Sequence, residues 1–297
     1  MNIIKKIIPC ILIILAAKTS AQNIVAKNAK LELVSDVFKF TEGPAVNKKG
    51  DIYFTDQPNN RIHLWSAKDN TISTFLDNAG RSNGLYINND GDLLACADEN
   101  FELWKIDSLK NKTVLVSNFE NLKLNGPNDL WVTPSGGIYF TDPYYQRPYW
   151  TRTKKEIEKE QVYFINPENN TVHIVANDLV QPNGIIGTPD GKTLYIADIG
   201  DKKTYSYSIN KDGTLTNKTL FTNMGSDGMT IDNKGNVYLT GKGVSIFNKK
   251  GEKIHHIDIE QNWTANVTFG GIEKDILFIT AMNSIYTIKM NVKGVRF

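Results

Sequence analysis

Apolar residues along the chain fall into short runs of about four to six, broken by Gly, Asn and Asp, and these runs recur as a unit. A polar residue leads an apolar strand, a Gly/Asn/Asp turn follows, a second strand often ends in Thr/Ala-Asp, and a third apolar stretch closes the unit. The copies are Glu42-Gly-Pro-Ala-Val with Asp51-Ile-Tyr-Phe-Thr-Asp56, Asn83-Gly-Leu-Tyr-Ile with Asp92-Leu-Leu-Ala-Cys-Ala-Asp98, and Asn128-Asp-Leu-Trp-Val with Gly137-Ile-Tyr-Phe-Thr-Asp142. Then come Asn183-Gly-Ile-Ile-Gly with Thr193-Leu-Tyr-Ile-Ala-Asp198, Asp227-Gly-Met-Thr-Ile with Asn236-Val-Tyr-Leu-Thr240, and a degenerate Asn266-Val-Thr-Phe with Asp275-Ile-Leu-Phe-Ile-Thr280. The leading residues are spaced by 41, 45, 55, 44 and 39 positions. Units of about 40–50 residues with several short strands each are the mark of propeller blades. The pattern therefore predicts an all-β fold, a six-bladed β-propeller; a β-sandwich would leave the regular repeat unexplained. Lys154–Gln161 is the one helix-prone stretch, and it is short and charged. Lys30–Asp36 precedes the first full unit and is expected to supply the outer strand of the last blade, closing the ring.

First strands line the channel of a propeller, so Glu42, Asn83, Asn128, Asn183, Asp227 and Asn266 are expected to converge at one mouth. Two carboxylates among amide oxygens form a set of hard donors suited to a hard divalent cation such as Ca²⁺, with Mg²⁺, Mn²⁺ or Zn²⁺ as alternatives. None of the six is His or Cys, which argues against a zinc or copper centre built on nitrogen or sulfur. Asn-Gly and Asp-Gly are also ordinary turn chemistry, so a purely local backbone role stays open at each single position. Against it, Glu occurs only in the first unit and Asp only in the fifth, and two converging carboxylates repel each other unless a cation lies between them.

Residues 1–21 carry a charged start, an apolar run Ile7–Ala17 and the small-residue end Thr19-Ser20-Ala21. That is the pattern of a secretory signal peptide cut after Ala21, too short to span a membrane, and it implies an exported protein, periplasmic or secreted. Residues 22–297 are then expected to form one propeller domain. With Lys5, Lys6 and Lys18 removed, the formal charge of +2 becomes −1. No dense basic run remains to favour nucleic acid or a membrane surface. One cysteine, Cys96, is left, which excludes an internal disulfide and reads as a buried apolar thiol.

At the leading positions the sequence resembles the senescence-marker-protein/gluconolactonase family of six-bladed propellers, which includes regucalcin-like lactonases and calcium-dependent phosphotriesterases. The matching stretches are Thr41-Glu-Gly-Pro44, Asn125-Gly-Pro-Asn-Asp129 with Ile138-Tyr-Phe-Thr-Asp-Pro143, Pro182-Asn-Gly184 with Asp190-Gly-Lys-Thr-Leu-Tyr-Ile-Ala-Asp198, and Ser226-Asp-Gly-Met229. The resemblance implies a catalytic divalent metal, usually calcium, held by Glu42, Asn183 and Asp227. Asn128 falls on a position that is a fourth ligand in some members and a substrate contact in others. It implies hydrolysis of a sugar lactone or related cyclic ester, a small-molecule substrate, with Asp227 as base or nucleophile. The third unit departs by about ten extra residues, Tyr144-Tyr-Gln-Arg-Pro-Tyr-Trp-Thr-Arg152.

From the ligand set, a bound cation would polarise the lactone carbonyl and Asp227 would accept a proton from the attacking water, while Asn128 and Asn83 hold the ring and its hydroxyls. His63, His173, His255 and His256 lie away from the leading positions, so a Ser-His-Asp mechanism has no support. The insert is expected either to cover the mouth, with Tyr144 and Arg147 as substrate contacts, or to be an aromatic edge packed on a neighbouring blade. Two other functions stay open: phosphotriester or aryl ester hydrolysis with the same cation, and a non-catalytic secreted propeller that binds a sugar or protein.

Overall fold

A computed structural model describes residues 24–295. The expected signal peptide, residues 1–21, lies outside the described residues. Six four-stranded antiparallel sheets follow one another along the chain, as the repeat predicts. The innermost strands are Thr41–Val46, Leu85–Ile87, Leu130–Val132, Pro182–Gly187, Met229–Ile231 and Asn266–Gly270. Apart from a short 3-10 turn at Gln57–Asn59, the described residues contain no helix. The helix-prone stretch Lys154–Gln161 is not helical: 154–160 are bends and irregular chain, and Gln161 opens a strand.

Burial falls off from the axis outward. Second strands such as Leu93–Ala97 and Val237–Gly241 are buried at every position, because both faces of each blade pack on a neighbour. Their sequences are accordingly continuous apolar runs. The outer strand Lys112–Val116, by contrast, is exposed at four of its five residues. Aromatic rings fill the wedges between blades: Trp131, Tyr139 and Phe164 pack in one cluster with Ile185 and Leu194 of the next blade. Cys96 lies wholly buried among Leu94, Leu103 and Phe140, in keeping with an apolar thiol.

The ring closes as expected. Glu32–Ser35 pairs with Ser284–Lys289, so the start of the chain supplies the outer strand of the last blade. Upstream of it, Asn291 donates its N–H to the Ile24 carbonyl at 2.7 Å.

Two recurrent devices bring the six inner strands together. The threonine near the end of a second strand donates its hydroxyl to a backbone carbonyl heading the next blade: Thr55 to Asn83 at 3.1 Å, Thr141 to Asn183 at 2.8 Å, and Thr240 to Ala265 at 2.8 Å. The glycine after a leading residue allows the next blade to come close. A Cβ on Gly43, whose φ is +45°, would stand 2.1 Å from the Asn83 carbonyl oxygen, and one on Gly228 would stand 1.9 Å from the Asn266 side chain. Gly84 and Gly184 meet the following blades in the same way. These Asn-Gly and Asp-Gly pairs thus serve close approach around the channel.

Candidate active site

The inner strands start at one mouth of the channel and end at the opposite face in tight turns, such as Asn47–Gly50 and Asn88–Gly91. At the first mouth the leading residues converge. Glu42, Asn83, Asn128, Asn183 and Asn266 are all buried, and Asp227 is partly exposed. Asn266 of the last blade donates its amide N–H to Glu42 Oε2 at 3.2 Å, and the Gly43 N–H donates to the same oxygen at 2.7 Å. Trp263 Nε1 donates to Asp227 Oδ2 at 2.6 Å, and the Asn183 side chain lies near the same carboxylate. The Asn183 amide donates an N–H to the Tyr145 hydroxyl at 2.8 Å. Asn183 keeps a buried Oδ1 that no hydrogen-bond donor meets. Asn83 and Asn128 stand at the heads of the second and third blades, joined by the Gly84 N–H donating to the Asn128 carbonyl at 2.7 Å.

A third carboxylate joins the two expected from the sequence. Where four of the blades carry glycine after the leading residue, the third carries Asp129. Its Oδ1 accepts the Leu130 N–H at 2.9 Å, and it lines the inner end of a cavity of about 710 Å³ that opens at the opposite face of the ring. Leu85, Leu130, Ile185 and Val267 wall that cavity, so it meets the leading residues from behind.

Electrostatically the cluster is unbalanced. Burial, then the charges of Asp227 and Asp129, pushes the Glu42 carboxyl well above its ordinary range. Burial raises Asp129 to about 8 and Asp227 to about 6, the latter held down by its bonds from Trp263 and Asn183 and by the Arg147 charge. Burial is the main cause of all three shifts, and neighbouring carboxylates add to those of Glu42 and Asp129. Among the described residues, no group of three or more His, Cys, Asp or Glu side chains is arranged to hold a metal. The oxygen set of Glu42, Asn183 and Asp227 has only two such residues, the third donor being an amide. An orphaned buried amide oxygen beside two carboxylates fits a hard cation.

The insert of the third blade lies against this mouth. Arg147 Nε pairs with Asp98 Oδ2 at 3.2 Å, the Tyr149 hydroxyl donates to the same carboxylate, and Trp150 Nε1 donates to the Asp98 carbonyl at 2.9 Å. The Arg147 guanidinium lies 5.3 Å from the centre of the Tyr145 ring. Tyr144 is turned elsewhere: its hydroxyl bonds Gln146 and its ring faces Trp150, with centroids 5.7 Å apart. Arg147 stands near Asp227, Trp150 packs as a buried edge, and Tyr144, offered as a substrate contact, packs on Trp150 instead.

Asp98 closes a second strand, as Asp56, Asp142 and Asp198 do, but it has a different task. The other three accept paired backbone N–H groups from the loop ahead of their own blade: Lys39 and Phe40, Asn125 and Gly126, Val180 and Gln181. Asp98 instead holds side chains, Arg147 and Tyr149 of the insert and Gln57 ahead of it. Its role, like those of Asp129, Tyr145 and Trp263, could not be separated from the repeat by sequence alone. Asp98 has its sisters' motif, Asp129 sits in a slot that is glycine in four blades, and Trp263 lies in no repeated element.

The SMP-30/gluconolactonase/LRE-like region matches residues 40–283. A gluconolactonase of Zymomonas mobilis is 26% identical, with 89% of this chain and 82% of that protein covered. The solved structure of a gluconolactonase from Xanthomonas campestris superposes with a TM-score of 0.84 at 26% identity, covering 91% of this chain and 92% of that one. A calcium-binding regucalcin of Agrobacterium tumefaciens, at 19% identity and a TM-score of 0.75, shares the fold over 89% of this chain and 95% of its own. With its six blades, its converging leading residues and a match that spans most of its length, the chain belongs to the SMP-30/gluconolactonase/LRE-like family.

Proposed function

We propose that the protein is a divalent-cation-dependent hydrolase that opens a sugar lactone or related cyclic ester at the channel mouth, with Ca²⁺ as the leading cation. The observation that carries this reading is the orphaned Asn183 Oδ1 beside the Glu42 and Asp227 carboxylates. Glu42, Asn183 and Asp227 would hold the cation, and Asn128 is the next oxygen donor or a substrate contact. When bound, such a cation supplies Lewis-acid polarisation of the lactone carbonyl.

The remaining work falls to the chain's own groups. Trp263 fixes the Asp227 carboxylate in one orientation. That carboxylate would take a proton from the attacking water. The water oxygen bonds to the carbonyl carbon, the ring C–O bond breaks, and the proton passes from Asp227 to the departing ring oxygen. The product is the open hydroxy acid, and the carboxylate is restored. Asn83 and Asn128 hold ring hydroxyls, and Arg147 contributes from the insert. Export is part of the reading: the pattern of residues 1–21 supports a periplasmic or secreted protein starting at Gln22, which N-terminal sequencing of the mature chain tests.

Bound metal should be measured together with turnover of lactones, aryl esters and phosphotriesters, before and after chelation. Lactone turnover is expected to vanish with the cation and return with Ca²⁺, and Asp227→Ala is expected to abolish it in a folded protein. Lactone turnover that survives complete metal removal would sink the proposal. Preference for a phosphotriester or aryl ester would shift the substrate class, and retained ligand binding without any turnover in the wild type would point to a binding propeller.

A further inference from the structure

We infer that Tyr145 is a positioning residue for the cation site: its hydroxyl holds the Asn183 amide so that Oδ1 faces the cation. The inference rests on the cation reading above and concerns a residue outside the ligand set. An asparagine amide has one useful face for a hard cation, its oxygen, and the amide is free to turn about its last side-chain bond. The N–H donated to Tyr145 restrains that rotation, and the Asp227 carboxylate lies near the same amide. The two neighbours are not equivalent. Asp227 must share its oxygens among Asn183, Trp263, the cation and a proton from water, so its hold on the amide changes through the reaction cycle. Tyr145 has no such second duty, and its tether persists.

The tyrosine is itself held from outside the metal site. Arg147 stacks on its ring at 5.3 Å, and Arg147 is tied to Asp98 of the preceding blade. A line of contacts therefore runs from the second blade through the insert of the third to the Asn183 amide of the fourth. Groups that orient a metal ligand without touching the metal commonly contribute about tenfold to a hundredfold in affinity.

Calcium titration calorimetry on the full mature chain, wild type against Tyr145→Phe and Tyr145→Ala, tests this. Phe keeps the ring and the Arg147 contact and removes only the hydroxyl. The expected result is a calcium Kd weakened about tenfold or more in both variants, with the melting midpoint of the cation-free Tyr145→Phe protein unchanged. If Phe restores wild-type affinity while Ala does not, only ring packing matters and the inference is overturned; wild-type affinity in both variants overturns it too. A wild-type protein that binds no divalent cation would instead overturn the cation reading on which the inference stands.

Discussion

Asp98→Asn isolates the tie between the insert and the ring. The substitution keeps the shape of a side chain that is 3% exposed and removes its charge. Three bonds change character, those from Arg147, from Tyr149 and, at 3.4 Å, from Gln57, while Trp150 bonds the backbone carbonyl and is untouched. A hydrogen bond to a charged group contributes about 1.5–3 kcal/mol and a neutral one about 1, so the bonds to Arg147 and Tyr149 lose roughly 1–4 kcal/mol and the long Gln57 bond adds little. An opposing gain comes from relief of burial, which raises the Asp98 carboxyl despite its partners. Arg147 is 22% exposed and can turn to water, so it adds little further cost. A net loosening of about 1–2 kcal/mol follows, or roughly a fivefold to thirtyfold rise in local opening. Hydrogen exchange followed by mass spectrometry reads it directly: peptides covering 144–152 should exchange faster by that factor while the blade strands do not change. Asp198→Asn is the control, because that carboxylate caps Val180 and Gln181 backbone N–H groups and should weaken its own blade. Unchanged exchange over 144–152 in Asp98→Asn, or faster exchange spread over all blades, would refute the assignment.

In the cation-free protein Asp227, Asp129 and Glu42 all bind protons more tightly folded than unfolded, so stability is fully present below about pH 4 for these groups and is lost as pH rises through about 6 and 8. The shift at Asp227 alone amounts to roughly 3 kcal/mol at about 1.4 kcal/mol per pH unit; the cation-free melting midpoint should fall between pH 5 and 8, and Ca²⁺ should reverse the fall, whereas a flat or rising cation-free midpoint contradicts the electrostatics. Thr141→Val leaves the Asn183 carbonyl and the Asp129 N–H without the hydroxyl they share, at a cost of about 2–4 kcal/mol in urea unfolding. Thr141→Ser should recover most of it, and a Val variant as stable as the wild type would show that this bond does not hold the blades together.

The repeat was legible because a propeller writes each blade with the same strand-turn-strand grammar, and because second strands packed on both faces must be continuous apolar runs. Ring closure by residues 32–35 was legible for the same reason: one apolar segment was left over at the start. Convergence of Glu42, Asn183, Asp227 and Asn266 followed from the topology once the blades were aligned. What the residues could not reveal is direction within the insert. Tyr144 and Tyr145 are neighbours of identical type, and only the path of the chain decides which hydroxyl reaches Asn183. Asp129 was hidden for a different reason. Its slot is glycine in four blades, so the repeat pattern gives no sign that a carboxylate there lines the channel.

Glu42 and Asn266 are 224 positions apart, yet they bond across the seam where the first and last blades meet. The hydrogen bond that orients this carboxylate therefore cannot form until the ring has closed, whichever blade folds first. In kinetic terms the mouth is a late-stage reporter: partly folded rings, including any in which the 32–35 strand has peeled away, offer an incomplete site. A cation that requires the finished arrangement would act as a latch on the seam, slowing unfolding more than it speeds folding.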